Sequence, residues 1–292
     1  MTFPLFRRRS IRVSVYGRTD RGRVRGHNED RFLVADLTHE QPMAAGEGQE
    51  HVLGPKGSLL LVADGMGGAA AGEVASEMVA EVVYTNLVSA LTSPPNPRRF
   101  AECLREALVT ANSRIHAYAA AHPEAAGMGS TATLAGVLGP DVYVAQVGDS
   151  RAYLVRRGVA TQLTQDQSLT RHLVETGRMT PEEAERSQDR NVILQALGPS
   201  PSVDVVVTRQ GLRVGDAVLL CSDGLTGFVD AVEIAEVVGS TPDLSIACDE
   251  LVELANARGG RDNITVVVAR FDGPGLKDPP PGDGRGDPQV VP

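Results

Sequence analysis

Four aspartates in this chain sit at the ends of apolar runs, where a carboxylate is well placed to hold a hard cation. Leu59 to Val62 runs into Asp64, followed by Gly65, Gly67 and Gly68. Val142 to Gly148 leads to Asp149-Ser150, Ala217 to Ser222 leads to Asp223-Gly224, and Asp262-Asn263 opens the run Ile264 to Ala269. A carboxylate leaving a buried strand, with glycines that bare the backbone, offers both a side-chain oxygen and a peptide carbonyl. One such turn alone reads first as a strand-to-helix connection with an Asp near a helix N-terminus. Its recurrence at four strand ends predicts one shared rim of a layered sheet. Asn28-Glu29-Asp30 adds two more carboxylates ahead of the strand Phe32 to Ala35. The preceding loop, Gly17 to Gly26, carries Arg18, Arg21, Arg23 and Arg25. Arg25 is singled out because a guanidinium holds two phosphate oxygens at once, although loop arginines are also ordinary solvated charges.

Aspartates and a glutamate gathered without compensation repel, and the outcomes are raised pKa values or bound cations. With oxygen donors and no clustered His or Cys, the fitting metals are Mg²⁺ or Mn²⁺. Two such ions about 3.5 to 4 Å apart can share a water, acidify it and set it in line with a phosphorus atom. A neighbouring Arg offsets charge on the phosphoryl oxygens. The chemistry is metal-assisted hydrolysis of a phosphate ester, with no covalent phosphoenzyme required.

These residues need a sheet scaffold to meet. Ile11, Val13 and Val15 alternate with polar residues as in a half-buried strand. Glu73 to Leu91 reads as a helix with Val74, Met78, Val82 and Leu87 near one face, stopped by Pro94, Pro95 and Pro97. Phe100, Leu104, Leu108, Ala111, Ile115 and Tyr118 mark a second helix, expected to lie antiparallel to the first over a sheet. Ala132–Leu138, Val142–Val147, Ala152–Val155 and Val159–Leu163 follow without helices between them, which means antiparallel pairing and excludes a Rossmann alternation. Gln165 to Pro201 is polar and partly helical, with a capping box at Thr180-Pro181-Glu182-Glu183, and reads as a movable wall or an ordinary excursion. Strands at Val203–Val207 and Ala217–Cys221, helices at Asp230–Val238 and Leu244–Arg258, and a last strand at Ile264–Phe271 complete the pattern. Gln41 to Gly57 reads as a surface excursion. The stretch 272–292 is too rich in Pro and Gly to pack and is expected to be a disordered tail, its Arg-Gly-Asp triplet incidental.

The chain has 292 residues, is 42% hydrophobic and shows no composition break, so one domain over 11–271 is expected after a short extension, 1–10. A net charge of −9 and sparse aromatics without Trp argue against a nucleic-acid partner. Cys103, Cys221 and Cys248 are widely spaced, which favours free buried thiols in a reducing compartment; Cys221, two residues before Asp223, is the one conceivable reactive thiol. No apolar run is long enough to span a membrane and FPLFRRRS has the reverse order of a signal peptide, so the expectation is a cytoplasmic, monomeric protein.

In order, Arg25 with Asn28-Glu29-Asp30, Val62-Ala63-Asp64-Gly65-Met66-Gly67-Gly68, Gly129-Ser130-Thr131, Gly148-Asp149-Ser150-Arg151, Cys221-Ser222-Asp223-Gly224-Leu225 and Asp262-Asn263-Ile264-Thr265 form a set. With them the chain resembles the metal-dependent protein serine/threonine phosphatases of type 2C, particularly the compact bacterial form, from about Ile11 to Phe271. The resemblance implies an α+β fold, a four-layer α/β/β/α sandwich with two central antiparallel sheets flanked by helices, and a flap at about 165–201. It implies that Asp64 bridges two Mn²⁺ or Mg²⁺ ions, that the Gly65 carbonyl binds one, and that Asp223 and Asp262 complete the other's shell. Glu29 and Asp30 would act mainly through water, Arg25 would bind substrate phosphate, and Asp149 with Asp223 would hold a third, weaker ion. Implied substrates are phosphoserine and phosphothreonine on proteins, with a Ser/Thr protein kinase as the opposing enzyme. Met66 stands where many eukaryotic members have a His proposed as general acid, which leaves metal-bound water or His27 as candidates. Gln167 also replaces a His common in the family. The alternatives are a regulatory binding module that keeps the fold without turnover, and a phosphatase dedicated to one phosphoserine regulator in a partner-switching pathway.

Overall fold

A computed structural model describes residues 10–42, 48–67, 71–189, 191–279, 282 and 284–291. The strands are β1 (Arg12–Asp20), β2 (Asp30–Asp36), β3 (Gln41–Pro42), β4 (Gln49–Val52), β5 (Ser58–Met66), β6 (Gly129–Ser130) and β7 (Ala132–Leu138). They continue as β8 (Asp141–Val147), β9 (Arg151–Arg156), β10 (Val159–Gln162), β11 (Val206–Gly211), β12 (Ala217–Cys221), β13 (Ile264–Asp272) and β14 (Gln289–Val290). The helices are α1 (Ala71–Ala90), α2 (Pro97–Ala121), α3 (Leu169–Glu175), α4 (Pro181–Arg186), α5 (Asp223–Thr226), α6 (Ala231–Ser240) and α7 (Leu244–Ala257).

Two antiparallel sheets form, one in the order β10-β9-β12-β13-β1-β4 and one in the order β14-β11-β8-β7-β5-β2-β3, with β6 paired to β5. Side-chain alternation assigns each strand two partners. Leu59, Leu61 and Ala63 of β5 pack against Ala75, Val79 and Val83 of α1 and Phe100, Leu104 and Leu108 of α2. Leu60 and Val62, on the opposite face, meet Val218 and Leu220 of β12 and Val267 and Ala269 of β13 between the sheets. Leu219 and Cys221 of β12 turn outward to Ile234 and Val238 of α6 and Ala247 and Leu251 of α7. Three apolar cores thus separate four layers, helix, sheet, sheet, helix, as the resemblance implied.

Several elements differ from the sequence reading. The buried face of α1 is Ala75, Val79, Val83 and Leu87; Val74, Met78 and Val82 lie at its margin, partly buried against the same core. β5 does not stop before Asp64 but runs to Met66, since Asp64 is laddered to Asp30 of β2 and Gly65 and Met66 are laddered to β6. The excursion after Gln41 contains β4, which extends one sheet by pairing with β1. The strand expected at Val203–Val207 begins at Val206 and runs to Gly211. The tail beyond Asp272 is docked where it is described: Leu276 is buried and Gln289–Val290 pairs with β11. Main-chain hydrogen bonding, which composition does not report, offsets its lack of apolar residues. Residues 1–9 and Gly68 lie outside the described residues.

Candidate metal and phosphate site

β2 and β5 place Asp30 and Asp64 directly opposite each other, an unfavourable pairing for two carboxylates unless something compensates. Asp223 opens α5 immediately after β12, and Asp262 precedes β13; β12 and β13 are antiparallel neighbours, so their turns fall at the same edge. Asp149 occupies the turn between β8 and β9. The structure brings these five together from both sheets: Asp64 is charged against by Asp30, Asp223, Asp149 and Asp262.

The buried end of the cluster is Asp30, only 1% exposed. Its Oδ2 accepts hydrogen bonds from Ser222 Oγ and Thr265 Oγ1, both at 2.7 Å, which join one sheet to the other beneath the cluster. Burial raises the Asp30 carboxyl to about 7 against the pull of these two hydroxyls, and repulsion from Asp223 and Asp262 adds to it. Burial followed by repulsion from Asp223 and Asp166 likewise raises Asp149 to about 7. Asp64 rises well above the ordinary carboxylate range, and Asp223 rises through burial and then Asp262 while contact with the Asp64 carboxyl pulls it back. Ser222 and Thr265 were quoted in the sequence only as members of motifs; their signal was a small hydroxyl residue one position before Asp223 and another three positions after Asp262.

Glu29 is held by its backbone. Its N–H donates to Asn263 Oδ1 at 2.8 Å, and Asn263 Nδ2 donates to the carbonyls of Arg21 and His27, both at 2.9 Å. One amide therefore shapes the arginine-rich loop, a role its sequence position beside Asp262 did not reveal. The Glu29 carbonyl accepts from Gly65 N–H at 3.2 Å and Ser76 Oγ at 2.5 Å. Gly65 is required here, since a Cβ on it would lie 2.0 Å from the Gly72 carbonyl oxygen. Gly72 in turn leaves room for the Glu29 carboxyl, which a Cβ there would approach to 2.8 Å.

Arg25 is exposed, and its guanidinium donates to Asp262 Oδ2 at 2.7 Å. The resemblance gave these two separate duties, phosphate and metal; the structure pairs them with each other. The Asp262 hydrogen bond raises the Arg25 pKa further, so it stays cationic throughout.

The segment that begins the expected flap is fastened to the Asp149 turn. Gln167 N–H donates to the Gly148 carbonyl at 3.0 Å, while Gln167 Oε1 accepts from Gly148 N–H at 2.8 Å. Gln146 Nε2 donates to the Gly148 and Gln165 carbonyls at 3.0 and 2.9 Å. Arg151, which only its motif had marked, grips both oxygens of Asp166 with Nε at 2.9 and 3.0 Å. The capping box at Thr180 forms as expected at the start of α4. Met66 and His27 both stand at the margin, half-buried and exposed. All three cysteines are free and buried, and burial pushes Cys221 up to about 12, which makes it an unreactive packing residue.

The donor set suits divalent hard cations. It is all oxygen, and Asp30 Oδ1 and Asp223 Oδ1 are buried with no hydrogen-bond partner among the described residues. Among the described residues no three acidic, histidine or cysteine side chains already converge as a closed metal cage.

Comparison with known proteins identifies the family. The family described as Protein phosphatase 2C matches residues 48–259. The chain belongs to the protein phosphatase 2C family. It is 37% identical over 255 residues to the serine/threonine phosphatase stp of Listeria monocytogenes, covering 87% of this chain and 94% of that one. The crystal structure of the Mycobacterium tuberculosis serine/threonine phosphatase PstP/Ppp superposes with a TM-score of 0.75 at 36% identity, covering 91% of this chain and 99% of that one. The catalytic domain of PstP in complex with two manganese ions superposes with a TM-score of 0.73 at 35% identity, covering 90% and 99%.

Proposed function

We propose that this chain is a divalent-cation-dependent phosphatase acting on phosphoserine and phosphothreonine of proteins, in the cytoplasm and as a monomer, opposite a Ser/Thr protein kinase. The observation that carries the reading is the convergence of Asp30, Asp64, Asp149, Asp223 and Asp262 beside an exposed Arg25. Asp64, Asp223, Asp262 and the Gly65 carbonyl are the groups to hold a pair of Mn²⁺ or Mg²⁺ ions, with Glu29 and Asp30 behind them and Asp149 with Asp223 offering a third position. Such ions supply Lewis acidity, neutralising phosphoryl charge and acidifying water at neutral pH. Arg25 leaves Asp262 to take the substrate's phosphoryl oxygens, a bidentate geometry that lysine lacks. Ser222 and Thr265 hold one oxygen of Asp30 and leave the other, Oδ1, without a hydrogen-bond partner among the described residues. The carboxylates line neither the cleft around Ile11, Leu53 and Pro95 nor the one around Met78, Val82 and Arg114, which suits a phosphate presented on a macromolecule. No helix among the described residues is long and apolar enough to cross a membrane.

The test is hydrolysis of p-nitrophenyl phosphate and a phosphopeptide panel with and without Mn²⁺, alongside Asp64→Ala and Asp223→Ala. Turnover that needs the cation and falls at least about a hundredfold in both variants supports the reading. Full turnover after chelation, or in either variant, overturns it. Tight Mn²⁺ binding with no turnover of any phosphopeptide would leave the regulatory binding module instead.

A further inference from the structure

We propose that β10 and the free edge of β11 form a docking surface for an extended peptide, that residues 284–291 of the same chain occupy it, and that this strap restrains the flap by holding together the two strands from which the flap springs. β10 ends at Gln162, just before the flap begins, and the chain returns through the flap into β11 at Val206. The two strands belong to different sheets, so the flap bridges a gap between layers. The strap bridges the same gap a second time.

Its contacts fall on both sides of that gap. Gly286 N–H donates to Thr161 Oγ1 of β10 at 3.0 Å, and the next residue, Asp287, donates its N–H to Gln210 Oε1 of β11 at 2.7 Å. Gln289 and Val290 then add antiparallel to Arg209 and Thr208. Val291 N–H donates to the Val207 carbonyl at 2.8 Å, and the Val291 carbonyl accepts from Arg105 of α2 at 2.9 Å. Without β14, β11 is the outermost strand of its sheet, and unpaired edges of this kind accept strands. The glycines of the segment have a reason to be there. Gly284 has φ +82° and a Cβ on it would lie 2.3 Å from the Arg156 carbonyl oxygen; one on Gly286 would come to 3.1 Å from both Gln210 Oε1 and Leu154 Cδ2. The Arg-Gly-Asp triplet thus lies on this surface, and its middle residue lets the backbone sit flush. The segment lies beyond the part of the chain that matches the family, residues 48–259.

The flap's two roots also touch directly, since Thr208 Oγ1 of β11 donates to the carbonyl of Leu163, the residue after β10, at 3.0 Å. Fixing β10 against β11 fixes the separation of the flap's two roots, and releasing the strap removes its own hydrogen bonds to both strands while leaving those of Thr208 to Leu163, Arg156 to Gly211 and Gln146 to Gln165 in place. Any partner that captures the C-terminal segment would loosen the flap without touching the carboxylates.

Hydrogen exchange read by mass spectrometry tests this on the full chain, on a chain ending at Pro279, and on Gly286→Pro, which removes one strap donor and leaves the length intact. Exchange in peptides covering 165–201 is expected to rise at least about tenfold in both variants, with α2 and β13 unaltered, and a synthetic peptide of residues 280–292 should restore protection to the truncated chain. Strap amides that exchange at the unprotected rate in the full chain, or a flap whose exchange stays the same once β11 is deprotected, would overturn the proposal. If the truncated chain fails to fold, Gly286→Pro and Thr161→Val decide by the same readout. The measurement needs neither substrate nor turnover, so a chain without phosphatase activity could still show the strap effect, and an active one could lack it.

Discussion

Arg25 and Asp262 each have two possible partners, and their 2.7 Å contact makes the competition testable. Arg25→Ala is expected to lower kcat/KM for phosphopeptides by about 10- to 100-fold, the worth of a charge-assisted hydrogen bond to phosphate. Mn²⁺ affinity measured by calorimetry should hold or tighten in the same variant, because Asp262 no longer answers to the guanidinium. A fall in both would mean that Arg25 supports the fold of the loop instead. The carboxylates make a second prediction. Asp30 and Asp149 lie near 7 in the folded chain against an ordinary 3.8, so the folded state keeps protons that the unfolded chain has lost. Their contribution is therefore full below about pH 4 and is lost as pH rises toward 7. The metal-free protein should melt at lower temperature at pH 7.5 than at pH 5. Asp149→Asn should flatten that fall, recovering on the order of 1–2 kcal/mol after allowance for the partial exposure of Asp149. Calorimetry in chelator checks this, and equal melting curves at the two pH values would contradict it.

β5 does at element scale what no single residue could. It buries one face against α1 and α2 and the other against the second sheet, while its end carries Asp64 and Gly65 past the last core layer. Gly65→Ala forces a methyl to 2.0 Å from the Gly72 carbonyl oxygen, and neither backbone can yield without moving β5 or the first turn of α1. We expect a loss of ~2–3 kcal/mol, or roughly 4–6 °C in Tm for a domain of this size, with activity reduced in the fraction that folds. A thermal melt with unchanged Tm would show that the α1 turn yields. Legibility was uneven among the elements. β7, β8, α2 and the capping box of α4 were readable because alternation, helical spacing and cap chemistry are local. The end of β5 was not readable, because its continuation through Asp64 depends on pairing with β2 and β6, one nearby in sequence and one far away.

At the scale of the molecule, the core between the sheets holds the two halves of the site in register. Asp30 and Asp64 come from one sheet and Asp223 and Asp262 from the turns of the other, so shear between the sheets would separate them. Leu220, wholly buried between the layers, is two residues before Ser222 and three before Asp223. Leu220→Ala should cost about 2–5 kcal/mol and weaken Mn²⁺ binding as well. Val83→Ala under α1 should destabilise with little effect on the metal, because that core touches only one half of the site. Urea titration and calorimetry on the two variants separate these outcomes; equal effects on Mn²⁺ affinity would contradict the division of labour.

The six motifs, their order and their residue types were all present in the sequence, and with them the oxygen-donor chemistry, the antiparallel pairing and the membership of the family. These are local properties: a carboxylate is a hard donor wherever it stands, and a period of two or 3.6 residues declares its element without help from the rest of the chain. Only the tertiary structure decided which carboxylates share a buried environment, that Ser222 and Thr265 bind one oxygen of Asp30, and that Arg25 rests on Asp262. It also decided that a Pro- and Gly-rich tail is pinned across two sheet edges. Each of these depends on residues separated by tens to hundreds of positions, and on hydrogen bonds whose partners are chosen by the packing of whole layers. Composition is blind to both.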